Sequence, residues 1–255
     1  MKIIAQNNVH LSKIIEKEIE VNGIYCDLNH IDISGIEDLS YIFYNYPFDG
    51  DISGWDTSNI KIMEGTFYRS QFNGDISQWN TSKVKDMSHM FSHSKFNGDI
   101  SRWNVSQVKN MQEMFSRSCF NGDISSWDVG NVRTMLYMFY LANFNKDINQ
   151  WNVSKVVDME SLFNSSEFNG DISGWDVSNV ENMQRMFKES SFTGDLSKWV
   201  VINTKKIDEM FDYCTAPIPY WAQIDDWHER QIVVTKKQLE KTILDRQTNS
   251  RIIKI

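Results

Sequence analysis

The sequence predicts an α/β solenoid, an elongated body of short parallel strands and short helices with a cap at each end. Two observations predict it. A unit of 24 residues, first whole at 48–71, occurs seven times with neither insertion nor deletion. Three columns of large apolar residues keep that interval. The first is Phe48, Phe72, Phe96, Phe120, Phe144, Phe168 and Phe192. The second is Trp55, Trp79, Trp103, Trp127, Trp151, Trp175 and Trp199. The third is Phe67, Phe91, Phe115, Phe139, Phe163, Phe187 and Phe211. Such a pattern is expected when a unit is too short to bury its own rings and stacks on its neighbours. The predicted divisions are an N-terminal cap with a degenerate half-repeat over 1–47, the seven units over 48–211, and a C-terminal cap with a terminal helix over 212–255.

Along the chain, Leu11, Ile14, Ile15 and Ile19 are spaced as one face of a helix running from Ser12 to about Glu20. Asn22-Gly23 between apolar residues is a hairpin signal that competes with it, because a type I′ turn needs two positive φ angles. Ile36, Leu39, Ile42 and Phe43 lie 24 residues before Ile60, Met63, Thr66 and Phe67, so 31–43 reads as a half-repeat without its tryptophan. Within a full unit, Phe-Asn-Gly-Asp-Ile-Ser reads as a short strand punctuated by a turn. Val108, Met111, Met114 and Phe115 are spaced as one face of a short helix. Ser58, Ser82, Ser106, Ser154 and Ser178 are placed to cap such helices. Successive strands are expected to pair in parallel, roughly 4.8 Å apart.

The period fails after Phe211, and Pro217 and Pro219 break regular structure. Trp221 and Trp227 are expected to cover the open end, and residues 232–234 to add a strand. Thr235-Lys236-Lys237-Gln238 has the form of a capping box, so a helix is expected to start there with Leu239, Ile243 and Leu244 on its apolar side. Arg230, Lys236, Lys237, Lys241, Arg246, Arg251 and Lys254 read as a solvated basic face.

The array FNGDISxWDVSNVxxMxxMFxxS resembles the BspA-like class of leucine-rich repeats found in bacterial surface proteins. The resemblance covers about residues 31–215 and is carried by the FNGDIS-x-W-D/N block and the Met-Phe pair. It implies a right-handed strand-and-helix solenoid that binds other macromolecules, and it implies no particular ligand or site residue.

A hydrophobic content of 41% supports a core, and a net charge of −8 argues against general nucleic-acid binding. Cys26, Cys119 and Cys214 form neither a disulfide framework nor a CxxC metal site. No stretch approaches a membrane helix, which needs roughly 20 apolar residues. The first residues lack an apolar signal-peptide region and a small-residue cleavage site. The expected location is therefore the cytoplasm or a host cell into which the chain is delivered, with the surface possible if a signal sequence has been removed.

The aromatic columns and the methionines Met63, Met87, Met111, Met135, Met159 and Met183 read as core. Asp51, Asp75, Asp99, Asp123, Asp147, Asp171 and Asp195 pose an electrostatic problem: charges about 5 Å apart repel by about 0.8 kcal/mol in water and about 3 at an effective dielectric of 20. Either backbone hydrogen bonds at an Asx-turn or a calcium ladder could offset that. The hydrogen-bonded account is preferred, and no metal or other cofactor is expected. His89 and His93, four apart, make a weak metal pair without further ligands.

Selectivity is expected in the positions that vary. Lys61, Lys85, Lys109 and Arg133 form a basic stripe, Arg69, His93 and Arg117 a second column eight residues on, and Arg102 adds a charge from the strand side. The competing reading is a solvated surface neutralised by nearby acids. No Ser/His/Asp set, phosphate-cradling glycine loop or metal cluster is visible, so the chain is read as no enzyme. The resulting expectation is a protein-binding scaffold acting through an exposed solenoid face, as an intracellular inhibitor, effector or adaptor that grips a protein with an acidic surface. The alternative is a bacterial cell-surface adhesion protein of the BspA-like type. The chain itself is expected to be a monomer or a weak homo-oligomer.

Overall fold

A computed structural model of the chain describes residues 2–252. In chain order the regular elements are β1 (Ile3–Ile4), α1 (Asn8–Asn22), β2 (Ile31–Asp32), a 3-10 turn (Tyr220–Gln223) and α2 (Trp227–Ile252). The strands β1 and β2 pair in parallel, Ile3 opposite Ile31 and Ile4 opposite Asp32.

Between residues 33 and 219 the chain has neither helix nor strand, only turns and isolated parallel bridges. The expected α/β solenoid, with its leucine-rich-repeat-like alternation of strand and helix, is thereby corrected, and the BspA-like resemblance with it. The reason lies in the backbone amides. An α-helix over 87–94 would send each N–H to the carbonyl four residues back. Instead Met87, His89, Phe91 and His93 donate to Asn110, Gln112, Met114 and Ser116 at 2.8–3.0 Å, while Met90, Ser92 and Ser94 donate three residues back. Every second amide leaves the segment, and His89 and His93 have φ of 57° and 55°. Left-handed backbone at a non-glycine residue costs of order 1–2 kcal/mol and ends a right-handed helix.

The expected helix caps are likewise something else. The N–H groups of Ser58, Ser82, Ser106, Ser154 and Ser178 donate to the side-chain oxygens of Asp56, Asn80, Asn104, Asn152 and Asp176, two residues earlier. These are Asx-turns, which offer the backbone an alternative to a helix. The expected strand is replaced by side-chain bonds. Asn97, Asn121, Asn145 and Asn169 each donate their N–H to the side-chain oxygen of the asparagine 24 residues before, at 2.8–3.0 Å. Gly98 follows Asn97 for room and not for a turn, since a Cβ there would lie 2.9 Å from two ring carbons of Phe96.

The rings pack at the same interval. Phe67, Phe91, Phe115, Phe139, Phe163 and Phe187 are fully buried and stack with centroids 5.6 to 5.8 Å apart. Each tryptophan from Trp55 to Trp199 is buried and donates its indole N–H to a carbonyl 27 residues earlier, at 3.0–3.2 Å. The polar edge of each ring is thereby satisfied inside the core.

The Asp column uses the hydrogen-bonded account. Asp51, Asp75, Asp99, Asp123, Asp147, Asp171 and Asp195 accept the backbone N–H two residues on, at 2.8–2.9 Å. Bonds from the backbone and then the side chain of that serine hold Asp51, Asp99, Asp123, Asp171 and Asp195 below the usual carboxylate range.

At the N-terminal end, α1 begins before the expected Ser12, because Asn7 caps it by accepting the N–H of His10. Gly23 makes no hairpin: its φ of 85° closes α1, and its N–H bonds Ile19. Leu11, Ile15 and Ile19 are buried. Asn8 Nδ2 donates to the carbonyls of Asp38 and Ser40, closing that end of the chain.

At the other end, Trp221 is fully buried and stacks on Trp199 at 6.4 Å, whereas Trp227 is half-buried and lies against His228. Residues 232–234 are helical and the capping box at Thr235 is unused. Asp226 accepts the N–H of Glu229 and starts α2 nine residues before Thr235. Arg230, expected on a solvated face, is buried and donates to the carbonyls of Thr204, Ile224 and Asp225. Leu239, Ile243 and Leu244 are exposed instead of forming a buried side. Lys254 lies outside the described residues.

Two outcomes test this fold. Phe115→Ala is expected to cost about 3–5 kcal/mol in urea denaturation, the range for a truncated buried phenylalanine, and a loss below about 1 would contradict the ring stack. Because the carboxyls of Asp51, Asp99, Asp123, Asp171 and Asp195 are depressed in the fold, their stabilisation is complete above the unfolded value near 3.9 and is lost as pH falls through the folded values. In the His89→Gln variant, which lacks the histidine's own pH dependence, the melting temperature is therefore expected to hold from pH 7 to 5 and to drop below about pH 4.

Candidate functional site

Residues 64–69, 88–93, 112–117 and 136–141 run side by side, joined by the alternate amide bonds already described. Most positions there are buried, and the outward ones recur every 24 residues and so form columns. Two columns are left-handed throughout: Tyr41, Gly65, His89, Glu113 and Tyr137 in one, and Asn45, Arg69, His93, Arg117 and Leu141 in the other. Gly65 is the one glycine among these, and a Cβ there would lie 2.3 Å from the Tyr41 ring.

The predicted residues Arg69, His93 and Arg117 fall in the second column and are all exposed. Burial, Arg117 and Arg69 together hold the His93 imidazole below its ordinary value, which places both guanidinium groups within electrostatic reach of it. Lys61, Lys85, Lys109 and Arg133 form another exposed column, tied by backbone bonds of 2.8–2.9 Å from each residue to the one before. Lys61 is paired with Glu37 at 2.7 Å. Lys85 and Lys109 close no ion pair among the described residues, and the Arg133 guanidinium donates to the Lys155 carbonyl, at 3.4 Å. A shallow cleft of about 370 Å3 opens between Lys61, Lys83 and Lys85. Arg102 joins neither column and sits within reach of Asp99.

Sequence reasoning passed over the tyrosines. Tyr44 and Tyr68 stack at 5.3 Å, and Tyr41 meets Tyr44 edge-on at 6.1 Å. Tyr68 contacts both histidines, His89 at 6.1 Å and His93 at 5.8 Å. Arg69 lies over the Tyr68 ring at 5.4 Å, and Arg117 over Tyr140 at 5.0 Å, each contact worth about 0.5–1 kcal/mol at an exposed site. Tyr41 and Tyr44 are 42% and 45% exposed, high for rings in a stack. The missed signal was their position: tyrosine at 44, 68 and 140 interrupts a column that elsewhere carries Ser, Asn, Lys or Asp.

The electrostatics separate the two histidines. His89 Nδ1 lies 3.4 Å from Glu113, whose hydrogen bond raises the imidazole against the effect of burial. That partnership replaces the suggested His89–His93 metal pair. Burial, then the hydrogen bond to Glu64 at 2.7 Å, pushes the Tyr41 hydroxyl up to about 12, so it is a neutral donor at physiological pH. Among the described residues no group of three His, Cys, Asp or Glu side chains is gathered as a metal site.

A turn-built chain with a tyrosine- and arginine-bearing face is the class that fold and site define. The family described as "Mycoplasma protein of unknown function, DUF285" matches residues 10–121, 92–167 and 117–227, which together take in most of the chain. The chain belongs to that family. No curated protein and no solved structure matches it. The expected inhibitor, effector or adaptor and the alternative adhesion protein both rested on the face of a leucine-rich-repeat solenoid. The helix- and strand-free course of residues 33–219 removes that face, and the family match stands in place of the BspA-like one. Among the described residues no helix is long and apolar enough to cross a membrane.

Proton NMR titration checks the site's charges. His89 is expected to titrate above the ordinary value near 6.5 and His93 below it. Stability from the His89–Glu113 contact is present below that value and lost as pH rises through the folded His89 value. His89→Gln removes that dependence, and coincident titration of both histidines would contradict the geometry.

Proposed function

We propose that the face built on Tyr41, Tyr44, Tyr68, Arg69, His93 and Arg117 recognises a protein partner that presents carboxylates. The observation that carries this is the Tyr44–Tyr68 stack, exposed at one end and bordered by guanidinium groups on both sides of His93. Tyrosine and arginine dominate binding hot spots, since they bring large contact area and directed hydrogen bonds at modest entropic cost. Lys85 and Lys109, which close no ion pair among the described residues, add positive charge nearby, which speeds encounter with an acidic surface. The net charge of −8 disfavours a nucleic acid for this role. On this reading the chain works by binding and not by catalysis.

The test is site-specific photo-crosslinking in lysate of the source organism. A crosslinker at position 69 or 117 is expected to trap one acidic protein, and one at position 102 to trap none. Tyr68→Ala with Arg69→Glu is expected to weaken capture at least tenfold, about 1.4 kcal/mol. Equal capture from all three positions, or none from 69 and 117, would refute the proposal.

A further inference from the structure

The column of Arg69, His93 and Arg117 holds a histidine between two cations. All three residues have left-handed backbone, with φ of 56°, 55° and 54°. Their N–H groups donate in turn to the carbonyls of Ser92, Ser116 and Tyr140 at 2.7–2.9 Å. Main-chain bonds thus hold the three residues in adjacent segments, and hydrogen-bonded neighbours of this kind lie about 5 Å apart. All three side chains are exposed. Arg69 rests on the Tyr68 ring, Arg117 donates to the Tyr140 hydroxyl at 3.3 Å, and neither closes an ion pair among the described residues. Tyr68 meets the His93 ring edge-on at 5.8 Å, and Glu113 brings a carboxylate within electrostatic reach. That carboxylate is already engaged: it lies 3.4 Å from His89, which also has Glu64 and Asp86 within reach. The acids therefore gather around His89, and the cations around His93.

This placement makes His93 responsive to what docks on the column. In the free chain, burial and the two guanidinium groups disfavour the imidazolium, so the ring is mainly neutral near pH 7. A carboxylate set on Arg69 and Arg117 offsets the field that keeps the proton away. It also offers an acceptor to the N–H that a proton from solvent creates on the unprotonated ring nitrogen. Binding and protonation are then linked. The factor by which the carboxylate raises the proton affinity of His93 is the factor by which the proton raises the affinity for the carboxylate. The gain is complete below the His93 value of the free chain and is lost as pH rises through the value in the complex. His89 has no such role, because Glu113 already stabilises its charge.

We propose that docking of a carboxylate-bearing partner across Arg69 and Arg117 takes up one proton at His93, so that the complex tightens as the medium becomes acidic. The inference rests on the reading of the tyrosine- and arginine-bearing face as a carboxylate site, and it adds how that site is regulated. The partner that fits carries an acidic run long enough to reach both guanidinium groups and the ring between them.

The probe is a capped hexaglutamate peptide, with capped hexaglutamine as its uncharged counterpart. The readouts on the full chain are affinity near pH 7.5 and near pH 5.5, where glutamate stays largely ionised, and the proton NMR titration of His93. Hexaglutamate is expected to bind about tenfold tighter at the lower pH, and at saturation to raise the His93 midpoint by about one pH unit, the same factor seen from the proton's side. His93→Asn, whose new side chain suits left-handed backbone, is expected to lose the gain, and His89→Gln to keep it. An unchanged melting temperature near pH 7.5 confirms that His93→Asn is folded. Equal affinity at the two pH values, an unmoved His93 midpoint, or a gain that survives His93→Asn would overturn the proton uptake and leave the carboxylate site standing. Failure of hexaglutamate to bind at either pH would overturn the carboxylate site and the inference with it. So would equal binding of hexaglutamine, or binding undiminished by Arg69→Gln with Arg117→Gln.

Discussion

The structure depends on the division of backbone amides within each segment such as 87–94. Half of them close short turns and half cross to the next segment. That division requires left-handed backbone at regular intervals, and the chain adopts it mostly with ordinary residues such as His89, Glu113 and Arg185. Each such residue is unfavourable by itself, of order 1 kcal/mol. The cost is offset because the same geometry satisfies backbone groups that would otherwise be buried unpaired and brings the phenylalanine rings into stacking distance.

One consequence is a surface that varies freely. The amide pattern uses main-chain atoms only, so the outward side chains of the left-handed columns are not needed to hold the fold. Tyr41, Arg69, His93, Arg117 and Glu189 share a backbone conformation and little else. Where tyrosine and arginine fall side by side, as at Tyr68 and Arg69, the guanidinium lies over the neighbouring ring. The histidines are set apart by their neighbours alone, one by a carboxylate and the other by guanidinium groups.

A second consequence concerns the ends, because a ladder of this kind has a donor end and an acceptor end that are chemically different. The chain treats them differently. At the acceptor end Asn8 occupies the Asp38 and Ser40 carbonyls, and α1 buries Leu11, Ile15 and Ile19. At the donor end Trp221 and Arg230 finish the tryptophan column and fasten the start of α2, but the amides of Ile207 to Tyr213 are left facing a cleft.

The sequence by itself determined the interval of 24 residues, the burial of the Phe and Trp columns, and the side-chain oxygens of the Asp column, since these follow from residue identity and spacing. It misled wherever a local signal had two uses. Val-x-x-Met-x-x-Met-Phe has helical spacing, yet that spacing also suits a turn whose every second amide points out of the segment. Asn22-Gly23 suits a hairpin and equally a helix C-cap. Thr235 to Gln238 has the form of a cap, but Asp226 had already started the helix. Only the tertiary structure decided among these, because a backbone N–H chooses between a partner four residues away and one 23 residues away by what else packs when it does so. The same holds for the site. Lys61 and Arg69 were visible as charges, but the neighbours that pair one with Glu37 and lay the other over Tyr68 are set by stacking and not by sequence proximity.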